Sequence, residues 1–500
     1  MNKKISSFGL AAMMLLFSGN VMATDYYLSA NGNDANDGKT AATAWATLAK
    51  VGSSAFKAGD HIYVSGIIKV ETEVAKARLV DVVIEGTNPQ TDGFDAEGKS
   101  SILHSNLSVV TFKNLSFKNG YRASDITENG AAAIYATHSR LTFENCIFEG
   151  NKCEQTNANA CAGAVFETGA NPENRSGIGG IFATNCKFIN NTSKAGGGAM
   201  TAVSNTVDLK NCYFQNNEAA NTGGAIYFNS INDVTIDGCA FEGNTAEQRG
   251  GAVFLFMNNL TDKVYTISNS TFYHNQAKSD GGAFGVSGNS NNTINLVHCT
   301  INGNNTLGGV DNAGGVNVKD KPGIVNVVNS IIQGNTATGN SNLFADVTFA
   351  TTKVNFVNSY VGAVREYDKY ASNYTTTSLC VLNNLPNSNQ QDKLDLGTYK
   401  ENAHIIPLKD GSNATKAADL NASKEYDVTT DQLGRTWEKP YIGAVQLTET
   451  EFTTGISAIK TNAPKSLKGI YNVAGQYVGN DASKLAKGLY IINGKKVVVK

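Results

Sequence analysis

The sequence predicts an all-β chain wound as a parallel β-helix with a small C-terminal β-sandwich, and three observations carry that reading. One phrase recurs: NCKFINNTSKAGGGAM, NCYFQNNEAANTGGAI, GCAFEGNTAEQRGGAV and NSTFYHNQAKSDGGAF. Its anchors Phe188, Phe214, Phe241 and Phe272 stand 26, 27 and 31 residues apart, and each is followed 11 residues later by an alanine: Ala199, Ala225, Ala252 and Ala283. A fixed period of that size signals stacked structural repeats. Cysteine and phenylalanine in N-C-x-F lie two apart, which puts both on one face of a strand. Finally, short apolar runs such as AIYF and AVFLFM follow Gly-Gly, runs such as DVTIDG and VYTISN lead to the next anchor, and no helical period is sustained.

Each unit therefore reads as two or three short strands and one turn column, closing a coil about 4.8 Å from the next. Phe188 is expected over Phe214 and Phe241 in an apolar column. Asn151, Asn191, Asn217, Asn244, Asn275, Asn304 and Asn335, three residues after each anchor, are expected to form an amide ladder and to take the left-handed turn. Looser copies at Phe148, Ile301 and Ile332, with echoes at Phe117 and Val361, extend the array to at least 117–361. A propeller blade needs four strands in about 40 to 45 residues, too many for this unit.

Residues 1–23 carry Lys3 and Lys4, an apolar LAAMMLLF and Val21-Met22-Ala23, the pattern of a signal peptide cut after Ala23. No cysteine follows the expected cut, which argues against a lipid anchor. No later run is long enough for a membrane-spanning helix, so an exported, surface-attached or extracellular chain is expected. Losing the two lysines takes the formal charge from -2 to -4, against nucleic acid as partner. Glycine at 50 of 500, proline at 7 and charged residues at 17% suit a β-solenoid, which lengthens coil by coil without widening its core.

Residues 24–59 read as a cap over the first coil. In DYYLSANGNDANDGKTAATAWATLAKV the Asn/Asp/Gly loop turns, Trp45 and Leu48 offer apolar cover, and Ala41 to Val51 suits a short helix. YYLSANGNDANDG and the following GDHIYVSG resemble the opening of secreted right-handed β-helix proteins, including pectate lyases. The F-x-x-N and GGA pairs resemble repeats of the polymorphic outer-membrane protein family, which implies surface adhesins. The solenoid is expected over 60–448. Its aperiodic end holds TTDQLGRTWEKPYIGAVQ, which is similar to the closing strand of secreted bacterial β-helix proteins and reads as the end of the solenoid, with Trp437 and Tyr441 as covering apolar groups. A linker follows at 449–458. In 459–500, Gly469-Ile470-Tyr471-Asn472, Gly475-Gln476 and Gly488-Leu489-Tyr490 before a lysine-flanked strand resemble the sorting domain of type IX secretion cargo.

Eight cysteines in an exported chain invite a disulfide count. However, Cys146, Cys186, Cys212, Cys239 and Cys299 share one repeat position, where Ser270 and Ser330 replace them, so an internal ladder of small free thiols is expected. Cys153 and Cys161, in the insertion KCEQTNANACAG, are left open between a disulfide and two thiols. Cys380 is left over, and no pattern suggests zinc.

No catalytic, cofactor or metal residue is assigned. The acids of the array are scattered, guanidinium comes only from Arg122, Arg140, Arg175 and Arg249, and no nucleophile-base pair is legible. NGNDANDG departs from the EF-hand register, so Asx turns are favoured there over calcium. Histidines 61, 104, 138, 274, 298 and 404 are isolated and read as structural. The arc from alanine to the next anchor varies between 15 and 24 residues, so ETGANPENRSG, NSIND, MNNLTDK and SGNSNN should gather on one side of the rod. Their charged members are Glu167, Glu173, Arg175, Asp233 and Asp262. The expected function is a non-catalytic adhesin or surface structure binding an extracellular glycan or a host or matrix protein. A polysaccharide lyase or hydrolase is the alternative, and a non-catalytic glycan-binding protein, which would need exposed aromatics on one face, is the second.

Overall fold

The computed structural model describes residues 23–126, 128–156, 161–169, 179–257, 260–308, 312–338, 343–344, 346–349, 353–366, 374–376, 380–382, 395–453, 470–472, 477–479, 488–492 and 495–499. The expected signal peptide, all but its last residue, lies outside them.

The fold is a right-handed parallel β-helix. A representative coil runs through Thr206–Lys210 in sheet A, Tyr213–Gln215 in sheet B, Glu218–Ala219 in sheet D and Ile226–Asn229 in sheet C. Sheet A stacks 13 described strands from Asp25–Ser29 to Tyr374–Thr376, sheet B 12, sheet C 11 and the narrow sheet D 9. The coil thus holds three longer strands and a two-residue fourth, one more than the sequence suggested. Sheet A begins with Asp25–Ser29, so the chain joins the rod inside the region read as a cap.

Repetition in the sequence becomes translation in space. Phe117, Phe148, Phe188, Phe214, Phe241 and Phe272 are in register, and their rings stack at 4.6–4.8 Å in an almost fully buried column. Each such pair adds about 0.5–1.5 kcal/mol beyond its burial. The amide ladder is also present. Asn217 Nδ2 donates to Asn244 Oδ1 at 2.9 Å and to the Phe188 carbonyl at 2.9 Å, while Asn217 N donates to Asn244 Oδ1 at 3.0 Å. The side chain therefore satisfies groups of three coils at once, and its amide closes on the anchor's carbonyl one coil back. The ladder ends on Asp346, which accepts from Asn335 N, Asn335 Nδ2 and Ala363 N. Burial pushes its carboxyl up to about 7.

The left-handed turn, however, falls one residue earlier than expected. Asn190, Asn216, Gly243, His274 and Gly303 have positive φ, whereas the ladder asparagines do not. A side chain turned inward to pair along the axis requires ordinary backbone, so the reversal is made by its neighbour. The Gly-Gly-Ala step has a steric cause as well. A Cβ on Gly198, Gly224 or Gly251 would lie 2.0 Å from the carbonyl oxygen of the equivalent glycine in the next coil, so this column tolerates no side chain.

The thiol ladder is present: Cys146, Cys186, Cys212, Cys239 and Cys299 are buried and free. Cys153 and Cys161 are free too, held by Gln155 Oε1 at 3.9 Å and Ser193 Oγ at 3.2 Å. In the N-terminal region Trp45 and Leu48 are buried, and Trp45 stacks on Tyr26 at 5.2 Å. The expected helix is instead a 3-10 turn, Ala41–Thr43, and a separate helix, Ala49–Ser53. Between them Trp45 bridges in parallel to Leu28, and Ala46 and Thr47 donate to Asp34.

The largest departure concerns residues 395–453. They lie along the flank of the rod over the outer face of sheet B, rather than over its end. Trp437 stacks on His298 at 3.9 Å and donates to Asn269 Oδ1. Gln432 bonds Thr271 Oγ1 and the Cys239 carbonyl, and Gly443 N donates to the Asn329 carbonyl. This wrap meets coils spread over more than a hundred residues of sequence. In the C-terminal module, Tyr477–Gly479, Ile470–Asn472, Gly488–Ile492 and Lys495–Val499 form, in that order, one antiparallel sheet. The second layer of the expected sandwich is not among the described residues. No described helix is long and apolar enough to cross a membrane.

Candidate functional site

A parallel sheet in a coil buries its inward column and leaves the outward one to be covered or used. Sheet C is covered by the loops that enter it: outward Tyr135, Phe166, Thr201, Tyr227 and Phe254 are all buried. The wrap covers sheet B from Tyr213 onward, burying Tyr213, Ala240, Thr271, Thr300 and Ile331, whereas earlier strands of the sheet keep Lys69 and Lys187 exposed and Lys118 and Glu149 half-buried. Sheet A keeps its outward rows open through its N-terminal and middle coils among the described residues.

Register fixes what this open face displays. One row reads Tyr27, Tyr63, Glu85, Lys113, Glu144, Thr184, Lys210, Asp237 and Ser268, one residue per coil. Beside it run Asp25, His61, Val83, Thr111, Thr142, Phe182, Asp208, Thr235 and Thr266. Two depressions lie here. One of about 420 Å³ is lined by Lys113, Thr142, Glu144, Phe182, Asp208 and Lys210. The other, of about 510 Å³, is lined by Tyr27, Tyr63, Ser65, Glu85 and Thr87, and Asn114 belongs to both. Tyr27 and Tyr63 stack at 5.4 Å, His61 stacks on Tyr63 at 4.2 Å, and Arg140 lies 4.1 Å over the Phe182 ring. Burial and the carboxylates of Asp25 and Glu85 hold the Tyr63 phenol above its usual range, so it stays a neutral donor.

The lysines are engaged. Lys113 pairs with Glu144 at 2.9 Å and Lys210 with Asp208 at 3.0 Å, while His61 Nε2 lies 3.0 Å from Glu85. A general acid needs a carboxyl held protonated near neutral pH. The carboxyls pushed upward by burial are elsewhere: Glu167 at about 8, Asp346 at about 7, and Glu73, raised beside Arg122. Among the described residues, the open face therefore combines apolar ribs, hydroxyls and neutralised charge, which suits binding better than acid-base chemistry.

No family model matches the sequence, and no curated protein aligns with it. Among solved structures the chain is similar to XylC in complex with xylose, with TM-score 0.43 and 10% identity, covering 85% of this chain and 98% of that one. It is also similar to a GH136 lacto-N-biosidase from Eubacterium ramulus, with TM-score 0.30 and 11% identity over 72% of this chain and 67% of that one. The catalytic unit of a thermostable GH87 α-1,3-glucanase from Streptomyces thermodiastaticus gives TM-score 0.29 and 14% identity over 65% and 63%. Likenesses of this order carry no functional argument.

The variable loops do share one corner, between sheets C and A, as their strand order requires. Their charged residues do not form a site. Glu167 is buried in the core column between Ala136 and Ala202, accepting from Ser139 N at 3.3 Å and from the Asn205 amide. It takes the place of a corner serine: Ser108 N donates to Ser139 Oγ, and Ser139 N in turn to Glu167. Asp233 is exposed on sheet A, Asp262 accepts from Asn291, and Glu173 and Arg175 lie outside the described residues. In NGNDANDG, Asn33 and Asp37 accept from the N–H groups two residues on, as in Asx turns, whereas Asp34 reaches across to take three donors from Ala46 and Thr47.

Sequence reasoning missed the polar cluster at the seam of the wrap. Glu242 accepts from the hydroxyls of Tyr213 and Tyr399, and the Tyr399 hydroxyl lies 3.4 Å from His404 Nδ1. His404 stacks on Tyr213 at 3.6 Å. Burial holds the imidazole below its usual range, and burial with Glu242 pushes both phenols up. With 157 residues between Glu242 and Tyr399, no local pattern could pair them.

Proposed function

We propose that this protein is an exported surface rod that binds a linear glycan along the open face of sheet A. The observation that supports this most is the composition of that face: it presents Tyr27, Tyr63 and Phe182 between hydroxyls and paired charges, whereas loops close sheet C and the wrap closes sheet B from Tyr213 onward. Apolar ribs with a few convergent polar groups are the usual composition of a ligand site, and the face follows the rod axis, as a polymer would. This moves the glycan-binding reading ahead of a host-protein adhesin, because aromatics on one face were what that reading lacked. Hydrolysis or elimination on the same face is the second reading, favoured by Glu144 and Asp208, which open into one depression.

The test is affinity electrophoresis of the chain from residue 24 onward against a polysaccharide panel, beside Phe182→Ala, with reducing ends and unsaturated products measured in parallel. Retardation weakened about tenfold by the substitution, without product, supports binding. Product release would assign the enzyme reading, and no retardation by any polymer would remove the site. Export through the N-terminal segment and surface display through residues 459–500 belong to the same proposal. Deleting 459–500 in the native host should abolish display, and unchanged display would refute that role.

A further inference from the structure

We infer that the glycan on the open face of sheet A is uncharged, and that polyuronates and other polyanions are excluded by the face itself. This deepens the glycan-binding reading and rests on it. Over nine coils, from Asp25–Ser29 to Val264–Ser268, the outward register positions hold Asp25, Glu85, Glu144, Asp208, Asp233 and Asp237 against Lys113, Arg140 and Lys210. Six carboxylates against three lysine and arginine side chains leave an excess of three negative charges.

The two lysines are also paired. Lys113 is held by Glu144 and Lys210 by Asp208, while Arg140 lies over the Phe182 ring. A uronate carboxylate reaching Lys113 would have to displace Glu144 and leave that acid uncompensated beside it, two like charges on one cation. These pairs are solvent-exposed and each contributes little by itself, so what opposes the uronate is the like charge beside each lysine rather than the pair itself. A sugar hydroxyl meets no such conflict. It can donate to the Asp208 carboxylate, whose side chain is 30% exposed and lines the depression, and it can accept from Thr142, Thr184 or the Tyr63 phenol. The hydrophobic faces of sugar rings can pack on Tyr27, Tyr63 and Phe182. Thus the carboxylates of this face can accept from sugar hydroxyls, while both of its lysines already hold an acid.

The experiment measures retention of the chain from residue 24 onward on three matched polymers: a neutral β-glucan or xylan, polygalacturonate, and a deacetylated amino glycan. At low salt the neutral polymer should bind at least about tenfold more tightly than the uronate. That gap should narrow near 0.5 M salt, where the screening length falls to about 4 Å. Asp25→Asn/Asp233→Asn, which touches neither lysine pair, should raise uronate binding and leave neutral binding within about twofold. Polygalacturonate binding equal to or tighter than the neutral polymer would overturn this inference while leaving the binding site standing. So would an amino glycan that outcompetes the neutral polymer at physiological salt. Failure of all three polymers would remove the binding reading and this inference with it.

Discussion

Sheets A and B are built by the same repeat, coil by coil, yet their outer faces have opposite fates. Both bury a continuous inward column, and both are parallel. On sheet A the outward rows alternate threonine, lysine and acids and stay in contact with solvent. On sheet B, from Tyr213 onward, they carry Tyr213, Ala240, Thr271, Thr300 and Ile331, and the wrap at 395–453 removes them from water. The repeat specifies the shaft alone; the outward residues, which it leaves free, divide the shaft into a closed side and an available one.

If that division is real, Trp437→Ala should have the largest effect. It removes a buried indole, its stack on His298 and its bond to Asn269, a loss of about 3–5 kcal/mol. Early proteolysis between 395 and 453 and a lower denaturation midpoint should follow. A midpoint unchanged from the parent would mean that the wrap is not held where it lies.

Acid should act next, and on the closed side. Burial holds the fully buried His298 imidazole at about 3, against 6.5 when exposed. Its nitrogens face Ser423 Oγ, the Asn329 amide and the Gly443 carbonyl. The unfolded chain binds the proton first, so stability is whole above pH 6.5 and declines toward pH 3, by at most about 1.4 kcal/mol per pH unit. His298→Gln should flatten this limb in pH-dependent denaturation.

Alkali acts at the other corner. Glu167 titrates at about 8 when folded against 4.5 in the open chain. The folded state keeps a proton that the unfolded state releases, so stability present below pH 4.5 is lost as pH rises through 8. Glu167→Gln, neutral at every pH, should raise the midpoint at pH 7 and remove this slope. A lower midpoint would show that Ser139 and Asn205 require the charge.

The smallest stability effect belongs to the open side. Phe182→Ala should move the midpoint by no more than about 0.5 kcal/mol while weakening glycan retention. A loss comparable to that of Trp437→Ala would mean that the face is structural.

The repeat made most of the rod legible. Spacing alone located the phenylalanine column, the amide ladder, the thiol ladder and the corner where variable loops collect, because each depends on a residue recurring at one phase of the coil. The errors have a common origin in groups whose partners are not set by that phase. Glu167 reads as a loop acid by position, but it lies on the strand Val165–Thr168, in register with Ala136 and Ala202, and its inward side chain takes a serine's place. The left-handed residue was assigned to the invariant asparagine, whereas its variable neighbour makes the turn. Trp437 was recognised as a cover, but not what it covers.

The sequence by itself determined translation: identical units must stack, since backbone ladders and inward columns close only on their own copies one coil away. Tertiary structure alone decided which face of the rod is free. That choice is made by residues 395–453, aperiodic and distant in sequence, whose contacts with His298, Asn329 and Thr271 follow from shape and hydrogen bonding at a single place. Periodicity can be read from one strand of text, but a unique contact between two unrelated surfaces leaves no repeat to read.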